Sequence, residues 1–240
     1  SPAGLNTNLL CAYGYQVTKK RKENMFKLTA TFALSTLALT DAAVTEYRVR
    51  VRNLTYMQPF SPVLVVAHTS DVALFQEGLP ASDAIKLLAE NADNSALLEL
   101  VESDDVAPYI CGVAVGEAPL LPLETTRLSL TVDDEICGDD AKFSLVSMLG
   151  NTNDAFVGID TDDLETTKVF PPAYDAGTEA NNELCTHIPG PACDADSGNL
   201  EDGPGEEYIH INRGVHGVGD ITASVYDWRN PVAEVFVARL

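Results

Sequence analysis

The chain has 240 residues, 45% of them hydrophobic and 7% aromatic, enough to bury a core and suited to one large all-β domain or two small ones. Asp and Glu number 36 against 15 Lys and Arg, a formal charge of −21 that repels the phosphate backbone and excludes nucleic acid as a partner. The same acidity suits either solubility in a salty, extracellular medium or an affinity for cations, and composition alone does not separate the two.

Lys19-Lys20-Arg21-Lys22, Met25 and Lys27 precede the apolar stretch Leu28 to Leu39, and Thr40-Asp41-Ala42-Ala43 follows it. A basic flank, a short apolar run and small residues form the pattern of a signal peptide over residues 25–43, with cleavage near Ala42 or Ala43. The run is too short to span a bilayer comfortably, and no transmembrane span is expected in the mature chain. Residues 1–24 lack apolar periodicity and read as an upstream, non-native or disordered segment, leaving 44–240 as the folded domain. Removing residues 1–43 takes five basic and two acidic residues from the totals and leaves a net charge of −24, so the acidity belongs to the folded part. The expected location is secreted or periplasmic.

Tyr47-Arg48-Val49-Arg50-Val51-Arg52 alternates apolar and basic residues, the period of a strand with one buried face. After a polar, Pro-containing stretch, Val63-Leu64-Val65-Val66-Ala67 reads as a strand buried on both faces. Ile85, Leu88, Leu97, Leu98 and Val101 recur at helical spacing behind the N-cap residues Ser82 and Ser95, predicting one or two short helices inserted between strands. Further strands are predicted at 127–132, 143–148, 155–159, 207–211 and 232–238. The stretch 189–205 is rich in Gly, Pro, Asp, Ser and Asn and reads as a long exposed loop. The fold class that follows is all-β, an antiparallel β-sandwich.

Cys11 falls in the discarded segment, leaving Cys111, Cys137, Cys185 and Cys193, an even count that agrees with export. Three pairings are possible, of which the local ones are expected: Cys185 with Cys193 across a Pro-Gly-Pro loop, and Cys111 with Cys137 between neighbouring strands. No C-x-x-C pair supports a cysteine zinc site.

Nucleophile elbow, P-loop, dinucleotide fingerprint and H-E-x-x-H motif are all absent. The glycines of Gly214 to Gly219 read as turn positions, and the acidic run Asp160-Thr161-Asp162-Asp163 lacks an EF-hand register. The lone Trp228 is expected to pack at the edge of the core. His187, His210 and His216 cluster in the C-terminal third and offer an alternative function, a copper or zinc site in a metal-handling protein or metal-dependent enzyme.

Several blocks at consistent spacing carry a resemblance. They run from Tyr47-Arg48-Val49, Asn53-Leu54-Thr55 and Gln58-Pro59-Phe60-Ser61-Pro62 through Asn153-Asp154-Ala155-Phe156-Val157-Gly158 and Tyr174-Asp175-Ala176-Gly177-Thr178-Glu179. They continue with Cys185-Thr186-His187-Ile188-Pro189-Gly190-Pro191 and His216-Gly217-Val218-Gly219-Asp220, and end at Asp227-Trp228-Arg229-Asn230-Pro231. Together they resemble the spondin domain of animal F-spondins and of exported bacterial proteins. The resemblance implies a C2-like β-sandwich with one Ca²⁺ held at one end by loop carboxylates, and a role in matrix or cell-surface interaction without catalysis. An extracellular or cell-surface protein or glycan is the implied partner.

Asp154 and Asp175 match aspartates of the family, and Glu179 replaces a third by one additional methylene. Taken alone, Asp175 and Glu179 read as a solvated turn. Calcium takes six to eight oxygen ligands from loops, and Asn151 and Asn153 are candidates to add carbonyl oxygens.

Overall fold

A computed structural model describes residues 43–138, 141–161, 168–193 and 203–240. The readings of residues 1–24 and of a signal peptide at 25–43 fall outside the described residues except for Ala43. So do Asp162, Asp163 and most of the loop 189–205.

The expected alternation appears in β1 (Val44–Asn53), where Tyr47, Val49 and Val51 are buried while Arg48 and Arg52 are exposed. Period-two patterning produces this because successive side chains leave a strand on opposite faces. The remaining strands are β2 (Leu64–His68), β3 (Ile110–Val115), β4 (Thr125–Asp133), β5 (Lys142–Met148), β6 (Ala155–Thr161), β7 (Lys168–Val169), β8 (Ala173–Asp175), β9 (His210–Ile211) and β10 (Ala233–Arg239). Every pairing is antiparallel. One sheet has the order β4-β1-β10-β7 and the other β3-β2-β5-β6-β8-β9. The protein is an all-β sandwich with a few short helices, in agreement with the expected fold class.

The six-stranded sheet is covered on both sides. Val65, Ala67, Phe143 and Leu145 face the other sheet, while Leu64, Val66, Val146 and Phe156 pack in a second cluster with Ile85, Leu88, Leu97 and Val101. That second layer is α1 (Asp83–Asn91) and α2 (Ser95–Glu102), the two helices expected from their spacing. Ser82 Oγ accepts the Ile85 N–H at 3.2 Å and caps α1, whereas Asn94 precedes α2 without a side-chain cap. A sheet buried on both faces needs apolar runs rather than alternation, which explains the composition of β2 and β5. Phe143 and Phe156 are each fully buried, and truncating either to Ala would cost about 3–5 kcal/mol.

Both local disulfides form. Cys185 and Cys193 have Cα atoms 5.3 Å apart, and Cys111 and Cys137 5.9 Å. Cys137 lies in the short helix α3 (Asp134–Cys137) rather than in a strand, so this bridge ties β3 of one sheet to the end of β4 in the other.

The predicted strand at 207–211 contracts to β9, because Ile209 instead exchanges backbone hydrogen bonds with the loop at Gly78 and Leu79. Before β10, Trp228 is 7% exposed and belongs to the inter-sheet core, as expected. Its neighbours hold two segments in place: Asp227 Oδ1 accepts the Val215 N–H at 3.1 Å, and Asn230 Oδ1 accepts the Ala173 N–H at 2.8 Å. The short helix α4 (Ala223–Tyr226) leads into this segment.

Candidate metal centre

The hairpin turn between β5 and β6 is closed by Thr152, whose Oγ1 donates to the Leu149 carbonyl at 2.6 Å and accepts the Ala155 N–H at 3.1 Å. Asp154 follows, immediately before β6. Because Ala155 is paired with Asp175, the two aspartates lie beside each other at neighbouring strand ends, and the Ala176 N–H donates to the Asp154 carbonyl.

Past β8 the chain turns sharply. Gly177 has φ +69°, and a Cβ there would meet the Tyr208 carbonyl oxygen at 2.4 Å, so this turn requires glycine. Asp175 Oδ1 accepts the Gly177 N–H at 2.9 Å. Asp154 Oδ2 then gathers the turn by accepting the N–H groups of Thr178 at 2.8 Å and Glu179 at 3.1 Å. The other oxygen, Asp154 Oδ1, is buried and has no hydrogen-bond partner.

Asp154, Asp175 and Glu179 are 0%, 2% and 3% exposed. Burial, reinforced by the Asp175 charge, pushes the Asp154 carboxyl up to about 7, against the pull of the Thr178 and Glu179 N–H groups. Burial also raises Asp175, opposed by hydrogen bonds from Asn181 and Gly177. Glu179 is pushed up to about 8 by burial and by the charges of Glu90 and Asp154. Desolvated like charges disfavour ionisation, and a divalent cation among them would reverse that balance.

The two asparagines considered as ligands are engaged with backbone. Asn151 Oδ1 accepts the Ala192 N–H at 2.8 Å, and its Nδ2 donates to the Met57 carbonyl. Asn153 Oδ1 accepts the Glu183 N–H at 3.0 Å, and its Nδ2 reaches Asn182 at 3.1 Å and Glu179 at 3.5 Å. Both position the loops.

Glu183, absent from the sequence reading, is 7% exposed and sits at φ 56°. Its carboxylate accepts the N–H groups of His216 and Val218, and its carbonyl accepts that of Asp220 at 2.8 Å. The His216 to Asp220 block is thereby anchored to the carboxylate loop.

The three histidines are not gathered into one ligand set. His187 Nδ1 lies 2.8 Å from Asn182 Nδ2, His216 is exposed, and His210 pairs with Asp175 in the β8–β9 ladder. Among the described residues, the one group of three His, Cys, Asp or Glu side chains with ligand atoms within 4.8 Å of one another is Asp175, Glu206 and His210. Glu206 carried no signal in the sequence. Its spacing of four before His210 implies proximity only in a helix, and this segment is not helical.

These features define a class of protein, a β-sandwich domain whose buried polar chemistry is concentrated in loops at the strand ends. Residues 51–180 match the family model described as Spondin_N, and the chain belongs to that family. The family places it among extracellular, non-catalytic modules. The matched segment contains Asp154, Asp175 and Glu179 and ends before Glu206 and His210. None of the curated proteins compared with the chain matches it. Among the described residues no helix is long and apolar enough to cross a membrane.

Proposed function

We propose that this chain is an exported binding module in which Asp154, Asp175 and Glu179 hold one Ca²⁺, and in which the ion shapes a recognition surface without taking part in a reaction. The observation that carries this reading is Asp154 Oδ1, an acceptor shut away from water, without a donor, beside two further buried carboxylates. Such a group is costly unless a cation or a proton satisfies it. The donor set fits calcium, a hard ion that prefers carboxylate oxygen.

Bound calcium would neutralise the mutual repulsion of the three acids and join the turn before β6 to the turn after β8. The ordered loops would present a contact surface to an extracellular or cell-surface protein or glycan. Two disulfides are compatible with an extracellular location.

Elemental analysis of the purified chain after dialysis, paired with thermal melts in calcium and in chelator, tests the reading. About one calcium per chain and a melting temperature that rises with calcium are expected. Asp154→Ala and Asp175→Ala should abolish that rise. A melting temperature indifferent to calcium in the wild type would refute the site.

A further inference from the structure

We propose that Asp175, Glu206 and His210 form a second cation site, selective for Zn²⁺ or a similar divalent transition metal, that shares Asp175 with the calcium site proposed above. His210 Nε2 lies 3.8 Å from Asp175 Oδ1 and 4.0 Å from Glu206 Oε2, beyond hydrogen-bond reach of either.

The orientation of the imidazole carries the argument. His210 Nδ1 is 3.1 Å from the Ile211 carbonyl oxygen, which only accepts, so Nδ1 holds the ring's N–H. In the neutral ring Nε2 therefore directs its lone pair toward two carboxylate oxygens, an arrangement that is repulsive until a positive charge stands between them. A metal-bound histidine characteristically donates its other ring N–H to a carbonyl or carboxylate, which fixes tautomer and ring orientation.

The carboxylates are supported in the same way. Asn181 Nδ2 donates to Asp175 Oδ2 at 2.9 Å and lies 3.3 Å from Glu206 Oε1, so one amide holds both acids. Asn212 adds a second donor to Asp175 Oδ2 at 3.0 Å, leaving Oδ1 on the side of His210. All three side chains are thus oriented by groups outside the trio.

The donor chemistry selects the metal. Calcium prefers an all-oxygen shell, whereas imidazole nitrogen with carboxylate oxygen suits zinc. Zinc bonds of about 2.0–2.2 Å in tetrahedral geometry place ligand atoms about 3.4 Å apart. The present separations need a contraction of about half an ångström, within the reach of a Glu206 side chain that is 38% exposed. The trio borders a groove of about 510 Å³ that Tyr208, Arg213 and His216 also line, which provides an entry path and room for water at the remaining coordination positions.

The test is calorimetric titration of the full chain, stripped of metal and resupplied with calcium, using zinc chloride. Uptake of one zinc per chain is expected, together with a visible ligand-field spectrum when Co²⁺ replaces zinc. His210→Gln and Glu206→Gln should lose the stoichiometric uptake and change the cobalt spectrum while keeping the calcium-dependent rise in melting temperature. Asn181→Ala should weaken zinc binding by about 10–100-fold. Asp154→Asn should do the reverse of His210→Gln, losing the calcium response and retaining zinc, so that failure of either site is seen separately. Absence of zinc uptake by the wild type, or uptake unchanged in both His210→Gln and Glu206→Gln, overturns the proposal. The same holds if NMR shows that His210 protonates freely with its signals unmoved by zinc.

Discussion

The backbone N–H of Glu179 donates to Oδ2 of Asp154 at 3.1 Å, so one acidic residue of the candidate centre orients another before any ion arrives. Both side chains hold their protons well above the ordinary carboxylate range, Asp154 to about 7 from 3.8 and Glu179 to about 8 from 4.5. The folded protein consequently binds protons that the unfolded chain has already released. Their contribution to stability in chelator is fully present below about pH 4 and is lost as pH rises through about 7 and 8. The separation between melting temperatures in calcium and in chelator should therefore widen from pH 5 to pH 8, with proton release on calcium binding. Melts across pH in both media check this, and a constant separation would contradict it.

Asp154→Asn should separate the electrostatic cost of the site from its use. The amide oxygen can still accept the N–H groups of Thr178 and Glu179, while the buried charge disappears. At pH 8 in chelator the variant should melt no lower than wild type, and in calcium it should show no rise. A variant that melts lower in chelator would mean that Asp154 serves the fold as an anion.

Glu183→Ala removes the acceptors for the His216 and Val218 N–H groups and leaves Asn153 facing a rearranged loop. Hydrogen bonds to a charged group contribute about 1.5–3 kcal/mol each. A loss of about 3 kcal/mol corresponds to a fall of about 6–12 °C in a domain of this size. Glu183→Gln, which keeps one acceptor, should fall less. Thermal denaturation of both variants decides the matter.

Replacing Cys111 and Cys137 together by Ser opens a loop of sequence separation 26, while the Cys185–Cys193 bridge closes a separation of only 8. Chain entropy gives the longer loop about 3–4 kcal/mol and the shorter one less. Denaturant melts of the two double variants should rank them in that order, with the midpoint shifting and the slope little changed.

Gly177→Ala should be the most damaging single methyl in the candidate centre. The new Cβ meets the Tyr208 carbonyl at 2.4 Å on a backbone that disfavours L side chains. Loss of the calcium response is expected even if the core remains folded by circular dichroism.

The parts of this fold that were legible in sequence are those where one periodicity governs a long segment. The alternation of Tyr47, Val49 and Val51 marks β1, and the helical spacing of Ile85 and Leu88 marks α1. β3 was missed because its residues Ile-Cys-Gly-Val-Ala-Val interrupt an apolar run with small side chains. The structure supplies the reason for one of them: a Cβ on Gly112 would lie 2.4 Å from the Thr131 carbonyl, so the glycine permits β3 to approach β4 across the sandwich. β7 and β8, of two and three residues, are too short to carry a period. In the candidate centre, Asp154, Asp175 and Glu179 stood out through the family-like blocks around them. Glu183, Asn181 and Glu206 did not, because their roles arise from pairings between segments distant in the chain. A lone acid or amide in a loop carries no local mark of such a pairing.

The β1–β10 ladder bears on when this domain can finish folding. Tyr47 is registered against Arg239, and the Leu240 N–H donates to the Glu46 carbonyl, so the first strand takes the last as its neighbour. A growing polypeptide can assemble α1, α2 and most of the six-stranded sheet early, yet Val49 and Val51 obtain one whole side of their sheet only when the final strand is delivered. Until then β1 exposes an unpaired edge, and the interval before closure is when the nascent molecule is most open to wrong pairing or to a chaperone.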